Sequence, residues 1–270
     1  NKELQPMLDL NSCDTEAFIN TSTNDIRNIL NKKILDFNNT INDIGGKLLY
    51  IKSGTTGHTF KGIFPNNKNK NSINNYAVKV VAYPKKENYG DLHDAKRPEN
   101  AELIMLKVLS YFVVNNQTPH IVLPIGTFNT SIKPFVKLKD NNIVDNKKYD
   151  FFIKRYKNKE YHDDVSILIS EWANSGDLLD YLRNNYKTMT LRTWRVLFFQ
   201  IISVLAVIQK KYPDFRHNDL KANNILIHKV STSNKFYRYK IRDKYYKVPN
   251  IGFILKIWDF DFACIKDDIK

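Results

Sequence analysis

One stretch constrains this chain more than any other: Phe215-Arg216-His217-Asn218-Asp219-Leu220-Lys221-Ala222-Asn223-Asn224-Ile225-Leu226-Ile227. It is a polar loop enclosed by two apolar elements. Upstream, Trp194, Leu197, Phe198, Ile201, Ile202, Leu205 and Ile208 recur at i, i+3, i+4, i+7, i+8, i+11 and i+14, the pattern of a helix buried on that face. Downstream, Ile225-Leu226-Ile227 reads as a strand. The loop between them carries Asp219, a lysine two residues later and an asparagine five residues later. A carboxylate, a cation and an amide held between two rigid elements are positioned for chemistry.

Earlier parts of the chain supply further charged groups. Leu48-Leu49-Tyr50-Ile51 reads as a strand, Ser53 to Gly57 as a turn and His58 to Phe64 as the returning strand. Gly54 and Gly57 at the tip would let backbone N–H groups approach a phosphate, though a plain turn has the same look. Lys52 precedes them and could meet a phosphate or point to water. Tyr76-Ala77-Val78-Lys79-Val80-Val81 is an apolar strand with one lysine inside it, and an inward lysine needs an anion. Glu99 and Glu102, in the helical stretch Pro98 to Ser110, are the candidates.

Composition sets the wider bounds. With 270 residues, 42% of them hydrophobic, the chain can build a sizeable core, and no uninterrupted apolar run approaches the roughly 18 residues of a membrane span. Cys13 and Cys264 are too few for a disulfide framework, so a reducing, cytoplasmic home is expected. The start at Asn1, with no apolar leader, is expected of an excerpt or a processed chain. The net charge of +14 is scattered rather than gathered on one helix face, and no nucleic-acid motif appears. A solvated basic surface is therefore expected, with no specific nucleic-acid partner. The basic and tyrosine-rich runs Lys235 to Ile241 and Lys244 to Val248 fit a solvent-facing hairpin with alternating sides better than a nucleic-acid platform.

Residues 1–44 form an Asn-rich extension expected to pack onto the first lobe. It has one helix, capped by Thr23 or Asn24, with Ile26, Ile29, Leu30, Ile34, Phe37 and Ile41 on a 3.6 period. Asn66 to Asn75 is an Asn/Lys loop. His120 to Gly126 and Val165 to Trp172 read as strands around a charged insertion at about 128–164, which has β propensity near Tyr149 to Ile153. Composition changes at Ala173 to Asp177, which gives lobes at 45–173 and 174–270. The second contains a β-rich insertion at about 229–254, and Ile254 to Trp258 then leads as a strand into Asp259-Phe260-Asp261-Phe262.

In order, the chain offers a glycine hairpin, Ala77-Val78-Lys79, a helix glutamate, a strand-to-loop hinge with an acidic residue, His217 to Asn224, and Asp259-Phe260-Asp261. This ordered set resembles the protein kinase superfamily from Leu48 to Ala263. The Asp261 in place of glycine and the long insertion before Asp259 look like the divergent serine/threonine kinases of large DNA viruses, of poxvirus virion or mimivirus type. The resemblance implies an α+β fold of two lobes, an antiparallel-sheet N-lobe with a C-helix and a truncated helical C-lobe. It implies transfer of phosphate from ATP, with Mg²⁺, to serine or threonine hydroxyls of a protein substrate, in the host cytoplasm or the virion.

By the same resemblance, Gly54 and Gly57 cover the ATP phosphates and Ala77 packs on adenine. Lys79 binds phosphate and pairs with Glu102, whose E-L-x-x-L-K-x-L setting matches the family's C-helix. Glu171 and Ala173 serve adenine from the hinge, behind a small gatekeeper, Ser170. Asp177 meets ribose, Asp219 takes the substrate proton, Lys221 steadies the γ-phosphate, and Asn224 and Asp259 ligate the metal.

Three departures bear on this. Asn218 replaces the family's arginine, which removes the usual anchor for a phosphorylated activation segment. Asp261 replaces a flexible glycine. The chain also runs only a few residues past Asp259, where substrate-binding helices would follow. Two other functions share some of the motif: a small-molecule kinase of choline or aminoglycoside type, against which Lys221 argues, and an ATP-binding pseudokinase scaffold, against which the complete set of charged residues argues.

Overall fold

The computed structural model describes residues 24–64, 75–138 and 147–265, together with Met7. Its described residues fall into two units, and the chain passes from the first to the second for the last time between Trp172 and Ala173. The Asn/Lys loop at 66–74 lies outside the described residues.

In the first unit, alternation along β3 (Tyr76–Pro84) decides the sheet. Tyr76, Val78, Val80 and Ala82 are buried on one face, while Ala77 and Lys79 turn to the other. The remaining strands are β1 (Lys47–Ser53), β2 (Gly57–Ile63), β4 (Pro124–Ser131) and β5 (Tyr161–Glu171), in the order β1-β2-β3-β5-β4 with every neighbour antiparallel. β3 is therefore the central strand. Its apolar face joins a core with Phe128, Ile167 and Ile169 from its neighbours, Phe135 from the turn at Lys133–Val136, and Phe37 and Ile41 from the N-terminal extension. Phe37 meets Phe135 edge-on at 4.8 Å.

Among its described residues the extension forms two short helices, α1 (Ile26–Leu30) and α2 (Phe37–Ile44), where the periodicity predicts one. Asn31 takes a left-handed conformation (φ 50°) that ends α1, and Asp36 caps α2 by accepting the Asn39 N–H. Asp25, rather than Thr23 or Asn24, caps α1, and Ile34 is exposed. Between the helices, Lys33 and Leu35 bond the backbone of Asn129 on β4. The β propensity at Tyr149 to Ile153 is also overridden. After α3 (Pro98–Val114), residues Lys147–Lys157 form the helix α4, which delivers Tyr149 and Phe152 to the core. Phe128–Ser131 and Tyr161–Asp164, placed in the insertion by sequence, belong to β4 and β5.

In the second unit, α5 (Leu178–Asn185) and α6 (Leu191–Lys211) precede the polar loop. β6 (Ile225–Lys229) and β9 (Phe253–Ile257) then pair antiparallel, with Ile225 opposite Ile257. Between them, β7 (Phe236–Ile241) and β8 (Lys244–Pro249) form a separate hairpin. The core gathers Leu178, Leu197, Ile225, Ile227, Phe253 and Leu255.

The buried face of α6 differs from the periodic one. Val196, Leu197, Gln200, Ser203, Val204, Val207 and Ile208 are buried, whereas Phe198 and Ile202 are exposed. The helix is apolar nearly all round, so spacing alone cannot orient it. Gln200 does: its Oε1 accepts the Leu255 N–H at 2.7 Å and its Nε2 donates to the Phe253 carbonyl, extending the hydrogen bonding of β9. By length and composition α6 would also suit a membrane span, a criterion that core helices satisfy as well.

The extension is tied to the sheet by a buried lysine. Lys32 is 4% exposed and donates to Tyr83 Oη at 2.8 Å and to Ser166 Oγ at 2.7 Å. Burial pushes its ammonium down to about 7, partly offset by Glu99. The unfolded chain keeps this lysine protonated up to about 10.4, so it binds the extra proton above neutrality, and stability rises with pH there. Thermal unfolding at pH 7 and 9.5 should therefore show a gain for the wild type that Lys32→Met loses. An equal gain in both proteins would contradict the assignment.

Candidate active site

Lys79 and Glu102 meet within the first unit. Lys79 Nζ donates to Glu102 Oε1 at 2.7 Å and Oε2 at 2.9 Å, with the lysine side chain 19% and the carboxylate 4% exposed. Two neighbours in sequence place the glutamate. Pro98 opens α3, where its missing N–H costs nothing. Arg97, directly before it, is fully buried, donates to the Pro84 carbonyl at the end of β3 and pairs with Glu99. Glu99 is thus occupied by Arg97, and Glu102 is left to face Lys79. Arg97 escaped the sequence reading; a cation just ahead of a proline-started acidic helix is its only trace.

The other first-unit residues fall around this pair. Ala77 lies on the same face of β3 as Lys79, directly opposite Ser170 on β5. Ser170 is buried and Glu171 closes the strand. The Gly54–Gly57 turn is closed by the Gly54 N–H donating to the Gly57 carbonyl at 2.8 Å, and Tyr161 Oη donates to the Thr55 carbonyl. The two glycines are not equivalent. A Cβ on Gly57 would lie 1.8 Å from the Val80 carbonyl oxygen, whereas one on Gly54 would meet nothing closer than 3.9 Å. Gly57 is needed for strand packing, and Gly54 leaves its turn open. Lys52 is exposed on β1.

In the second unit the polar loop is a small knot. Asp219 accepts from Lys221 Nζ at 3.0 Å (Oδ1) and 2.7 Å (Oδ2), and from Asn224 Nδ2 at 2.9 Å (Oδ2). Asn224 also donates to the Asp219 carbonyl at 3.0 Å. The Lys221 hydrogen bond is the main cause that holds the Asp219 carboxyl below its usual range, with its charge and Asn224 adding to it, so Asp219 is ionised at neutral pH. Asn224 spends its N–H donors on Asp219, which leaves Oδ1 as the atom it can offer to a cation.

Asp259 follows at the same end of the β6–β9 pair. The Trp258 N–H donates to the Asn224 carbonyl at 3.1 Å, and His217 Nε2 bonds the Trp258 carbonyl at 3.1 Å. Burial pushes the His217 imidazole down, which keeps it neutral, and its ring packs on Phe260 at 5.0 Å. Asp259 has φ 64° and Asn218 φ 60°, both in the left-handed region. Asparagine and aspartate enter this region more readily than most residues other than glycine, and surrounding bonds hold them there. Asn218 shows how: its Nδ2 donates to the Phe262 carbonyl at 2.9 Å, while Arg216 and Cys264 exchange backbone hydrogen bonds at 2.9 Å. The residue that looks like a lost arginine instead ties the loop to the segment after Asp259. Ala173 is buried at the start of this unit, and Asp177 caps α5 by accepting the Asp180 N–H at 2.9 Å.

Comparison with known proteins accords with this geometry. The sequence model of the protein tyrosine and serine/threonine kinase family matches residues 130–262. A protein of Acanthamoeba polyphaga mimivirus named "putative serine/threonine-protein kinase" is 49% identical over 271 aligned residues, 97% of this chain and 55% of its own length. A second mimivirus protein of the same description is 38% identical over 76 residues, 27% of this chain and 19% of its own. A Dictyostelium discoideum protein named "probable serine/threonine-protein kinase" is 36% identical over 103 residues, 37% of this chain and 8% of its own. The chain therefore spans about half the length of the first of these relatives, and less of the others.

The glycine geometry is directly testable. Gly57→Ala should lower stability by about 1–3 kcal/mol, the usual cost of overpacking. Gly54→Ala should leave the thermal transition nearly unchanged. Equal effects would remove the distinction.

Proposed function

Because this chain is a protein-kinase-like protein with mimivirus relatives, we propose that it transfers the γ-phosphate of Mg-ATP to serine or threonine hydroxyls of a protein. The observation that carries this reading is the Asp219–Lys221–Asn224 knot, in which one carboxylate is oriented by a cation and an amide that also have work to do on phosphate and metal. Lys221, in place of a neutral residue, favours a protein hydroxyl over a small-molecule alcohol.

In this reading the Gly54–Gly57 turn covers the phosphates, and Lys79, held by Glu102, binds them. Ala77 packs on adenine, the Glu171 and Ala173 backbone groups bond its edge, and Asp177 meets the ribose with the carboxylate that also caps α5. Asn224 and Asp259 are hard oxygen donors suited to Mg²⁺, which when bound neutralises phosphate charge. Asp219 accepts the substrate hydroxyl proton as that oxygen bonds to the γ-phosphorus and the bond to the departing ADP oxygen breaks.

Lys221 gives the step its timing. Its side chain is 51% exposed, and in this reading it turns from Asp219 to the transferring phosphoryl group. Leaving Asp219 removes the main cause of its lowered pKa and makes the carboxylate a better base as the proton is needed. Work in the host cytoplasm or the virion belongs to the same proposal, and low cysteine usage supports a reducing compartment.

Radiolabelled Mg-ATP offered with a basic protein, an acidic protein and choline tests the proposal. Label should enter protein, and Asp219→Asn should reduce it by roughly 10²–10⁴-fold, the range for a general base. Label on choline alone would establish a small-molecule kinase. Nucleotide binding without transfer to any acceptor would establish a pseudokinase.

A further inference from the structure

The β7–β8 hairpin takes no part in the proposed chemistry, yet it is firmly built. Its inner face carries Tyr237, Tyr239 and Tyr246, and α6 supports it: Phe199 packs edge-on against Tyr239 at 5.1 Å and against Tyr246 at 5.6 Å. His120 fixes the register. Its Nδ1 bonds the Leu255 carbonyl at 2.7 Å, so Nδ1 carries the proton and Nε2 accepts from Tyr239 Oη at 2.9 Å.

The outer face carries Phe236, Arg238, Lys240, Tyr245 and Lys247. Phe236 is 43% and Tyr245 63% exposed. Arg238 stands directly opposite Lys247, a like-charge pair of the kind that destabilises a strand pair. From Lys235 to Lys247 there are six cations and one carboxylate. No ion pair neutralises Arg238, Lys240 or Lys247 among the described residues; they lie instead beside rings, with Lys247 Nζ 4.4 Å from the Phe236 centroid. On the side turned to α6, a cavity of about 660 Å³ opens beside the hairpin, lined by Tyr237 and Tyr239 together with Arg238 and Lys240, and Lys210 adds a further cation. That volume is within the range of ligand-sized clefts, about 300–1,000 Å³.

We infer that this face binds single-stranded nucleic acid without sequence preference. The cations track the phosphates, bases stack on Tyr245 and Phe236, and the cavity accepts an unstacked nucleotide. Exposed rings interleaved with cations on one face favour this partner over a phosphopeptide, which cations alone serve, and over an anionic lipid surface, to which an amphipathic element presents its rings and its cations on separate faces. The unrelieved Arg238–Lys247 opposition is explained in the same way, since a phosphate between them turns repulsion into attraction. The site is separate from the phosphotransfer reading and does not depend on it.

Fluorescence anisotropy of the whole chain with a labelled oligothymidylate tests the inference, alongside an oligoglutamate of equal length and phosphatidylserine vesicles. The oligonucleotide should bind with strong salt dependence, and Tyr245→Ala should weaken it about fivefold or more, the low end of stacking per base. The double replacement Arg238→Ala, Lys247→Ala should reduce the salt slope by about 1.4, two phosphates at roughly 0.7 each. Photo-crosslinking of the wild-type protein should map to Phe236–Pro249, a readout independent of any variant. Absent binding, indifference to Tyr245→Ala, crosslinks elsewhere, or equal affinity for oligoglutamate or the vesicles would each overturn the inference.

Discussion

A lysine inside the central strand of a sheet is the constraint on which the first unit turns. β3 must be apolar on the face that packs the core, and its other face carries Lys79 with only 19% of its side chain exposed. Burying most of a cation is costly without an anion beside it, and Glu102 supplies one at 2.7 and 2.9 Å. Removing one partner of a buried pair costs roughly 3–5 kcal/mol, yet a well-packed apolar pair in its place is often as stable. The ion pair is thus a poor device for stability and a good one for holding a positive charge at a set place. The buried Arg97 and the proline-started helix make sense as means of fixing Glu102 in rotation and depth.

The second unit works largely through amides. Gln200 continues the hydrogen bonding of β9, Asn224 orients Asp219 while its carbonyl receives the Trp258 N–H, and Asn218 holds the chain after Asp259. Neutral donors of this kind give direction without the desolvation cost of a charge. They also fit the lack of an arginine beside Asp219: the segment after Asp259 is fastened by Asn218 to a backbone carbonyl, which needs no phosphate to complete it.

The candidate site residues around Asp219 were legible because their separations are local. The lysine and asparagine that follow Asp219 are held by one short loop, and the apolar runs on either side declare its frame. Lys79 was legible for another reason, being a charge where the strand pattern has no room for one. What spacing could not reveal were features decided by tertiary contact. α6 is apolar on nearly every side, so its buried face was chosen by the Gln200 bonds to β9. The extension broke at Asn31 because one residue entered the left-handed region. The two hairpin glycines looked alike in sequence, and only the Val80 carbonyl, which lies in the path of a Cβ on Gly57, separates them. Residues 149–153 have the composition of a strand but became helix where their aromatic rings could fill the first core.

The account rests on Lys79 being held by Glu102 for the phosphates of a nucleotide. Calorimetric titration of Mg-ATP into the wild type, Lys79→Met, Glu102→Gln and the double variant tests this most directly. The account predicts that each single replacement weakens binding and that the double variant is little worse than either, a coupling of about 1 kcal/mol or more between contacting residues. Losses that simply add, or an affinity unchanged by either replacement, would contradict it.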